Sequence, residues 1–328
     1  MTPILTVERL RVEIPVKAGL LRPVRGIDLA LSAGETHGLV GESGSGKSLT
    51  ALGIMGLLPR RARRSAAQLR LGDLDLLPLG ERAMEDVRGD RLAMIFQEPM
   101  TSLNPAFTIG AQLTETLRRH RRVSRREALE RAAAMLARVG ISSPRTRLAQ
   151  YPHQLSGGLR QRAMIAMALL CEPRLLIADE PTTALDVTVQ AQILRLLAEL
   201  QRAMGLAILL ITHDLSVVAR VAQCVSVMYA GEIVETGAVA DVFARPMHPY
   251  TRGLLSAVPV PGKVKRGEPL GTIAGVVPSL VGEIDGCAFR TRCPAAHDAC
   301  VRPVPVRTAG AGRRYRCHLS PGATEAPP

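Results

Sequence analysis

The stretch GESGSGKS, residues 41–48, decides how the rest of this chain is interpreted. It fits the pattern G-x-x-x-x-G-K-[ST], and it lies between a short apolar segment, THGLV at 36–40, and a helix-like segment. Glycines let a backbone fold closely around a phosphate so that amide groups point inward, and a helix amino terminus adds its positive end. The stretch therefore predicts a phosphate-binding loop between a buried strand and a helix that begins near Lys47.

The residue types of this loop carry separate expected roles. Lys47 is expected to reach the β and γ phosphates of a nucleotide, and the hydroxyl of Ser48 is expected to bind Mg²⁺. The other residues expected to bind the nucleotide are Gly41, Ser43, Gly44, Gly46 and Leu49.

A second candidate element, LLIADE at 175–180, ends an apolar strand in two carboxylates. Burial of an acid is unfavourable unless the acid meets a cation, so Asp179 is expected to hold Mg²⁺ through water. Glu180 is then placed to orient and deprotonate an attacking water, which a hydrolase needs and a protein that only holds nucleotide does not. The two motifs together indicate a P-loop nucleoside triphosphatase.

Apolar patterning on either side of the two motifs predicts an α/β core. Alternating apolar residues at 4–14 and 24–32 predict strands. Continuous apolar segments at 174–179 and 206–212, with a helix between them, are typical of a parallel sheet covered on both faces.

The pattern changes twice along the chain, which predicts its domain organisation. From about 98 to 160 it is helical, which predicts an inserted helical subdomain whose second helix ends at Gly140, with Pro144 as the stop. After Pro246 proline and glycine become dense and long periodic segments end. We expect a core over residues 1–245, without internal duplication, and a separate, irregular extension over residues 246–328.

Composition excludes several classes of protein. The net charge of +13 comes almost entirely from arginine, and the 2% aromatic content argues against a protein that stacks single-stranded nucleic acid. A solvated or lipid-facing surface accounts for the densest basic run, at 118–126, and we expect no nucleic-acid partner. Charges interrupt every apolar run before about 18 residues, and the amino terminus does not have the pattern of a signal peptide, so no segment is expected to cross a bilayer.

The stretch LSGGLRQR at 155–162 narrows the class. A serine and two glycines that open an apolar helix make a second helix amino terminus suited to phosphate, for which the first site of the same chain has no use. Together with five other motifs in chain order, it resembles the nucleotide-binding subunit of ABC transporters over about residues 1–245. Those motifs are the loop at 41–48, Gln97, LLIADE, ALD at 184–186 and ITHD at 211–214.

This resemblance implies an ATPase, with Mg²⁺, that works as a head-to-tail dimer. Ser156 and Gly158 of one subunit would close on the γ-phosphate that the other subunit binds. His213 would contact that phosphate, and Gln97 would bind Mg²⁺ or its water and relay the nucleotide state to a permease. Asp186 would lie at the dimer seam.

One position departs from the family pattern. ABC subunits often stack adenine on an aromatic residue about twenty-five residues before the lysine of the loop, but no aromatic residue precedes Phe96 in this chain. Arg22 falls near that position, and its guanidinium is a candidate for stacking on the base.

Two further stretches, FQEPMTSLNP at 96–105 and RPMHPYTRGLLSAVP at 245–259, resemble the oligopeptide/dipeptide and nickel importer branch and extend the resemblance to about residue 320. This branch implies one of two ATPases, favoured to be distinct subunits, on the cytoplasmic face of the membrane. The ATPases would work beneath two permeases fed by an external substrate-binding protein. Expected permease contacts are Thr101, Ser102 and Asn104.

The branch also implies import of peptides or a related solute such as nickel. The segment HPYTRGLL within 245–259 is expected to pack as a short helix against the core. A contending class is the soluble ABC ATPase of repair or translation. Such proteins usually carry two ATPase units in one chain or a long coiled-coil insertion, and this sequence has neither.

Four of the six cysteines lie near the carboxyl end with the spacing C-x5-C-x6-C-x16-C, and no apolar periodicity places them in a core. A cytosolic compartment argues against disulfides, so metal or redox chemistry is expected. Four thiolates suit zinc or a cubane iron–sulfur cluster. The four residues are Cys287, Cys293, Cys300 and Cys317.

The spacing lacks the short C-x2–4-C step that is usual in structural zinc sites. The resemblance to peptide-importer ATPases with this tail suggests a [4Fe–4S] cluster, whereas zinc and metal-free thiols remain alternatives. His297 and His318 are candidate substitutes in a zinc site. The arginines at 290, 292 and 316 would offset the negative charge of a tetrathiolate centre.

Overall fold

The fold is taken from a computed structural model, which describes residues 3–97, 102–183, 186–258, 271–310 and 312–320. Contacts between Cα atoms divide the chain into two units. Unit 1 comprises mainly the described part of Pro78–Ile211, with Leu31–Glu35. Unit 2 comprises Leu5–Ala30, Thr36–Leu77 and the described residues from Thr212 onward.

The strands follow one another along the described residues as β1 (Leu5–Val16), β2 (Gly19–Leu31), β3 (Thr36–Val40), β4 (Arg63–Ser65), β5 (Gln68–Leu71), β6 (Leu74–Asp75), β7 (Leu92–Ile95), β8 (Leu175–Asp179), β9 (Ala207–Thr212), β10 (Cys224–Tyr229), β11 (Glu232–Ala238), β12 (Val306–Thr308) and β13 (Arg314–Arg316). The α-helices are Lys47–Met55, Glu81–Val87, Ile109–His120, Arg125–Arg138, Pro144–Leu148, Gly157–Leu169, Val187–Met204, Leu215–Val221, Val239–Ala244 and Pro249–Ser256. Two 3₁₀ turns span Pro152–Gln154 and Asp298–Val301.

Unit 1 contains the parallel strands β7, β8 and β9, with β8 in the middle. All residues of β8 and β9 are buried, as expected for parallel strands that are covered on both faces. The 18-residue helix Val187–Met204 connects β8 to β9 and begins at Asp186. The predicted parallel arrangement, and with it the α/β fold class, is confirmed.

The helical segment of unit 1 confirms the predicted change of periodicity. Ile109–His120 and Arg125–Arg138 are amphipathic helices, and a threonine or serine side chain caps the amino terminus of each. The second helix ends at Arg138, and Gly140 follows with φ of +79°. Pro144 opens the next helix instead of stopping the previous one, because its fixed φ suits a first helical position.

Unit 2 contains two groups of paired strands. In the first, β1 pairs with β5 in antiparallel register and also pairs with β4, with β2 on its other side. In the second, β3 pairs with β10 in parallel, and β11, β13 and β12 then continue in antiparallel pairs. The sheet that carries the strand before the phosphate-binding loop therefore extends into strands from the carboxyl-terminal extension.

An aromatic cluster buries part of that extension. The rings of Tyr229, Tyr250 and Phe289 lie with centroids 4.5–5.4 Å apart, and all three residues are buried. The expected short helix is confirmed. It spans Pro249–Ser256, with Tyr250 in its first turn. The expectation that no core forms around the cysteines is wrong, because aromatic burial needs no sequence periodicity. The domain boundary at residue 245 stays a prediction.

A buried ion pair ties β13 to β11 within unit 2. Arg313 donates to Glu235 at 2.7 Å, and both side chains are almost fully buried. Glu235 also accepts hydrogen bonds from the amides of Met247 and His248. Burial of His248 lowers its pKa to about 3, so it is neutral and its Nδ1 accepts a hydrogen bond from the amide of Tyr250.

No helix in the described part of the chain has both the length and the apolar character that a membrane span requires.

Candidate functional site

The phosphate-binding loop follows β3 and leads into the helix Lys47–Met55, as predicted. Gly46 precedes this helix with φ of +106°, and a Cβ there would overlap the carbonyl oxygen of Pro23. A Cβ at Gly41 would likewise overlap the carbonyl oxygen of Met228. The loop therefore requires glycine at both positions, because neighbouring backbone lies against it.

Lys47 lies inside the loop. Its buried ammonium donates to the carbonyl oxygens of Gly41 at 2.8 Å and Glu42 at 2.9 Å. Ser48 and Leu49 are half-buried in the first turn of the helix. The lysine is thus held at the centre of a turn of backbone, next to the positive end of a helix, which is an arrangement suited to an anion.

Ser43 and Gly44 form the exposed side of the same loop. Gly44 has φ of +77° and open space around its Cα, so the loop is accessible there. All seven residues predicted for this loop therefore lie on one strand–loop–helix unit. Their individual contacts with a nucleotide stay predictions.

Sequence reasoning missed the partners of Glu42, the second residue of the loop. Its amide donates to the hydroxyl of Tyr250 at 2.8 Å, and its carboxylate accepts from Arg292 at 2.6 and 3.0 Å. Arg292 was expected to offset thiolate charge, but Glu42 is its acidic partner. No local signal in the sequence joins positions so far apart.

In unit 1, β8 ends at Asp179, which is 4% exposed, and its predicted role in holding Mg²⁺ stays a prediction. Glu180 follows with φ of +46°, a conformation that is unfavourable for a residue other than glycine. Its amide donates to the carbonyl of Ile211 at 2.9 Å, which holds the backbone in this state.

The carboxylate of Glu180 has two side-chain donors. Gln97 Nε2 donates to Oε2 at 3.1 Å, and the Thr183 hydroxyl donates to the same oxygen at 2.8 Å. The structure thus brings together two of the residues predicted for catalysis, Gln97 and Glu180. The hydrogen bonds of Gln97 and Thr183 to Oε2 fix the direction of the carboxylate.

The second helix whose amino terminus is predicted to bind phosphate is Gly157–Leu169. Ser156 caps it through a hydrogen bond from the Leu159 amide at 3.4 Å, and Ser156 is exposed. Gln161 on this helix is 1% exposed and donates to the carbonyl of Pro181 at 2.6 Å. Sequence reasoning missed this contact, which joins the helix to the turn that follows Glu180.

Gly158 is half-buried on the first turn of the same helix, and a Cβ there would lie 3.2 Å from Val189. Asp186 is exposed and caps the helix Val187–Met204, because its carboxylate accepts from the Val189 amide at 2.9 Å. The residues 184–185 before it lie outside the described residues. Ser156, Gly158 and Asp186 thus lie at exposed or half-buried helix starts, and their dimer contacts stay predictions.

The remaining predicted residues are placed as follows. In unit 2, His213 is exposed just beyond β9. Arg22 donates to Glu13 at 3.0 Å and also contacts Glu283, so its guanidinium has acidic partners. Thr101 lies outside the described residues, whereas Ser102 is half-buried and Asn104 is exposed.

The four clustered cysteines converge in unit 2. They line one small cavity together with His248, Phe289 and His318. The pKa of Cys287 is raised to about 11, mainly by burial and to a smaller extent by the other three thiols. The shared cavity thus brings together side chains that are far apart in sequence. The four are Cys287, Cys293, Cys300 and Cys317.

The arrangement of the thiols bears on which metal they fit. Among the described residues, no three of these sulfur atoms all lie within 4.8 Å of one another. A single zinc ion with bonds of about 2.3 Å would draw its ligands closer than that. His297 Nδ1 lies 3.6 Å from Cys300 Sγ. The iron–sulfur cluster, the zinc site and the metal-free thiols all stay predictions for this donor set.

The other two arginines expected near the thiolates also have partners elsewhere. Arg290 donates to the carbonyl oxygens of Asp285 and Cys287. Arg316 pairs with Glu232 at 3.6 Å. Arg307 is instead the cation that lowers the pKa of Cys317, although burial outweighs it.

Comparisons with known families match both parts of the chain. Residues 24–183 match the family described as ABC transporter. Residues 234–300 match the family described as oligopeptide/dipeptide transporter, C-terminal region.

Among similar proteins is the dipeptide transport ATP-binding protein DppD of Bacillus subtilis, 49% identical over 94% of this chain and 92% of that protein. The oligopeptide transport ATP-binding protein AppD of the same organism is 48% identical over 97% of both chains. DppD of Escherichia coli is 46% identical over 96% of both chains.

Two solved structures show the same fold over most of the chain. The dimeric ABC transporter cassette MJ0796 has a TM-score of 0.64 and 25% identity, over 72% of this chain and 98% of that one. The protein cbiO1 of Clostridium perfringens, part of an ABC transporter complex, has a TM-score of 0.62 and 27% identity, over 74% of this chain and 92% of that one.

Proposed function

The chain belongs to the ABC transporter family, in the group of ATP-binding subunits with the oligopeptide/dipeptide C-terminal region, and we propose that it energises the import of di- or oligopeptides. One observation carries this proposal: relatives named for peptide transport are nearly half identical to this chain over almost its full length, extension included.

The phosphate-binding loop supplies the electrostatics of ATP binding. The ammonium of Lys47 exchanges its bonds to loop carbonyls for bonds to the β and γ phosphates, where a charged donor is stronger than a neutral one. Backbone amides between Gly41 and Leu49 complete the anion site. Mg²⁺ would neutralise phosphate charge there, held by Ser48, Gln97 and, through water, Asp179.

Glu180 acts on the water that hydrolyses ATP. Its carboxylate takes a proton from the water as the water oxygen bonds to the γ phosphorus and the bond to ADP breaks. The hydrogen bonds from Gln97 and Thr183 and the strained backbone hold the carboxylate in one direction before substrate arrives. Such preorganisation removes the need to reorient the base during the reaction.

The partner subunit supplies the second set of phosphate contacts. Ser156 and Gly158 at an exposed helix start would close on the γ-phosphate held by the other ATPase, with Asp186 at the seam and His213 on the same phosphate. The other ATPase would be a distinct subunit. Two permeases, to which a substrate-binding protein delivers peptide, would place the pair on the cytoplasmic face of the membrane.

A transport assay tests the assignment. In cells that lack the gene for this chain, the wild-type protein should restore uptake of a labelled dipeptide, and the protein should co-purify with permeases in mild detergent. Restoration of uptake only for nickel would change the cargo. No uptake defect, together with a protein that is recovered without permeases, would favour the soluble ABC class and contradict the proposal.

The four cysteines are proposed to hold a [4Fe–4S] cluster that joins parts of the extension distant in sequence. The cluster would supply a covalent link among the 3₁₀ turn Asp298–Val301, β13 and the segment around Phe289. Its contribution would be structural, since metal binding to a folded site stabilises the fold that presents the ligands.

Metal content measured on protein purified without oxygen tests this part. We expect about four irons and four sulfides per chain and a broad absorption band. Cys287→Ser should lower the iron content, whereas Cys171→Ser should not, because Cys171 does not line the cavity of the four cysteines. One zinc per chain without colour, or no metal at all, would contradict the cluster.

A further inference from the structure

The cysteine segment reaches the phosphate-binding loop through one ion pair, between Arg292 and Glu42. Arg292 directly precedes Cys293, and its guanidinium donates to both carboxylate oxygens of Glu42, at 2.6 and 3.0 Å. This bidentate, or two-pronged, arrangement is the strongest type of hydrogen-bonded pair that an arginine and a carboxylate form. The Arg292 side chain is 4% exposed and that of Glu42 is 27% exposed, so water screens the pair far less than a surface pair.

Arg292 is held rigidly by further bonds. It donates to the carbonyl oxygens of Ala274 at 2.9 Å and Ile273 at 3.0 Å, and it contacts the Tyr229 hydroxyl at 3.4 Å. A guanidinium keeps its proton throughout the pH range in which proteins are folded, so the residue stays charged. The guanidinium therefore has a fixed position from which it sets the position of Glu42.

The backbone of Glu42 is held by a second residue of the extension. Its amide donates to the hydroxyl of Tyr250 at 2.8 Å. The ring of Tyr250 packs against Tyr229 and Phe289, and Phe289 lies three residues before Arg292. Side chain and main chain of one loop residue are thus both bound by the carboxyl-terminal extension, within one compact unit.

Glu42 also matters to the charge of the loop. It follows Gly41, and the carbonyls of both residues accept from the ammonium of Lys47. An unpaired carboxylate this near to bound phosphates would repel them, since screening is weak in a partly buried site. Arg292 cancels that charge.

We propose that Arg292 is a positioning residue for nucleotide binding, which holds and neutralises Glu42 so that the cysteine segment controls the shape and charge of the phosphate-binding loop. The inference rests on the proposed binding of ATP at this loop. On this proposal, residues of the extension hold the phosphate-binding loop in the conformation that binds the nucleotide. A change that displaces the segment around Cys287 and Cys293 would then weaken ATP binding without touching a residue that contacts ATP.

Binding of ATP and ADP to the purified full-length chain, with Mg²⁺, tests the proposal. Arg292→Gln should weaken ATP binding about ten-fold, because it leaves a carboxylate unpaired. The loss should be larger for ATP than for ADP, and it should shrink at high salt, because the repulsion depends on charge. In the double variant Glu42→Gln with Arg292→Gln, most of the affinity should return.

Arg313→Gln is the matched control. It breaks another buried arginine–glutamate pair of the same unit, at 2.7 Å, that does not reach the loop. We expect it to lower the unfolding temperature but to leave ATP affinity within about two-fold of wild type. Thermal unfolding of each variant separates loss of fold from loss of affinity.

Three results would overturn the proposal: normal ATP affinity in folded Arg292→Gln protein, an equal loss in Arg313→Gln, or no recovery in the double variant. If Arg292→Gln fails to fold, Arg292→Lys, which keeps the charge but not the two-pronged geometry, should bind ATP more weakly than wild type, and normal affinity there would overturn it. Failure of the wild-type chain to bind ATP would contradict the proposed function itself.

Discussion

Glu180→Gln is expected to reduce ATP hydrolysis by about 10²- to 10⁴-fold, which is the contribution of a well-placed general base. The amide cannot take a proton from the attacking water, but it has nearly the same size and can still accept the hydrogen bonds of Gln97 and Thr183. ATP binding should therefore remain close to that of wild type. Turnover measured with saturating ATP, and binding measured separately, distinguish the two effects.

The control for this variant is Glu172→Gln. Glu172 is an exposed acid in the same unit, eight residues before Glu180 in the chain, and it too has a positive φ, of +56°. We expect its turnover to match wild type. Equal turnover in Glu180→Gln and wild type would remove Glu180 from the proposed chemistry.

Lys47→Ala is expected to weaken ATP binding by about 10- to 100-fold, because hydrogen bonds to charged groups contribute about 1.5–3 kcal/mol. The same change should lower hydrolysis at any fixed, subsaturating ATP concentration. Lys17→Ala removes an equal charge from the exposed turn between β1 and β2, and it should leave binding unchanged. Titration of both variants with ATP makes the comparison.

An equal and small loss in the two lysine variants would show that net charge, and not a specific contact, attracts the nucleotide. In that case a rise in salt concentration would also weaken wild-type binding.

The phosphate-binding loop could be predicted from sequence because its determinants are local. A buried strand, closely spaced glycines and a helix start occupy residues 36–55, and the structure shows them in that order. The strands around Glu180 could also be predicted from sequence, because parallel strands buried on both faces appear as continuous apolar segments. The contact of Gln97 with Glu180 follows once those strands are paired.

The contacts of the extension with the phosphate-binding loop could not be predicted from sequence. Glu42 and Arg292 are 250 residues apart, and an ion pair leaves no periodic trace in sequence. Phe289 is a single aromatic residue among prolines, glycines and arginines, yet it is buried against two tyrosines from other elements. Sequence patterns report which face of a helix or strand is apolar, but not which distant segment covers it.

The pairing of β13 with β11 has a consequence for how the polypeptide is made. During synthesis, β10 and β11 leave the ribosome well before β13 has been made. The edge of β11 that pairs with β13 therefore has unpaired backbone groups during that interval. Such edges can pair with other chains. During the same interval Glu235 cannot form its ion pair with Arg313, because Arg313 has not yet been synthesised. Completion of the sheet is thus postponed until Arg314–Arg316 have been synthesised, and we expect nascent chains that have not reached β13 to associate more readily through this edge.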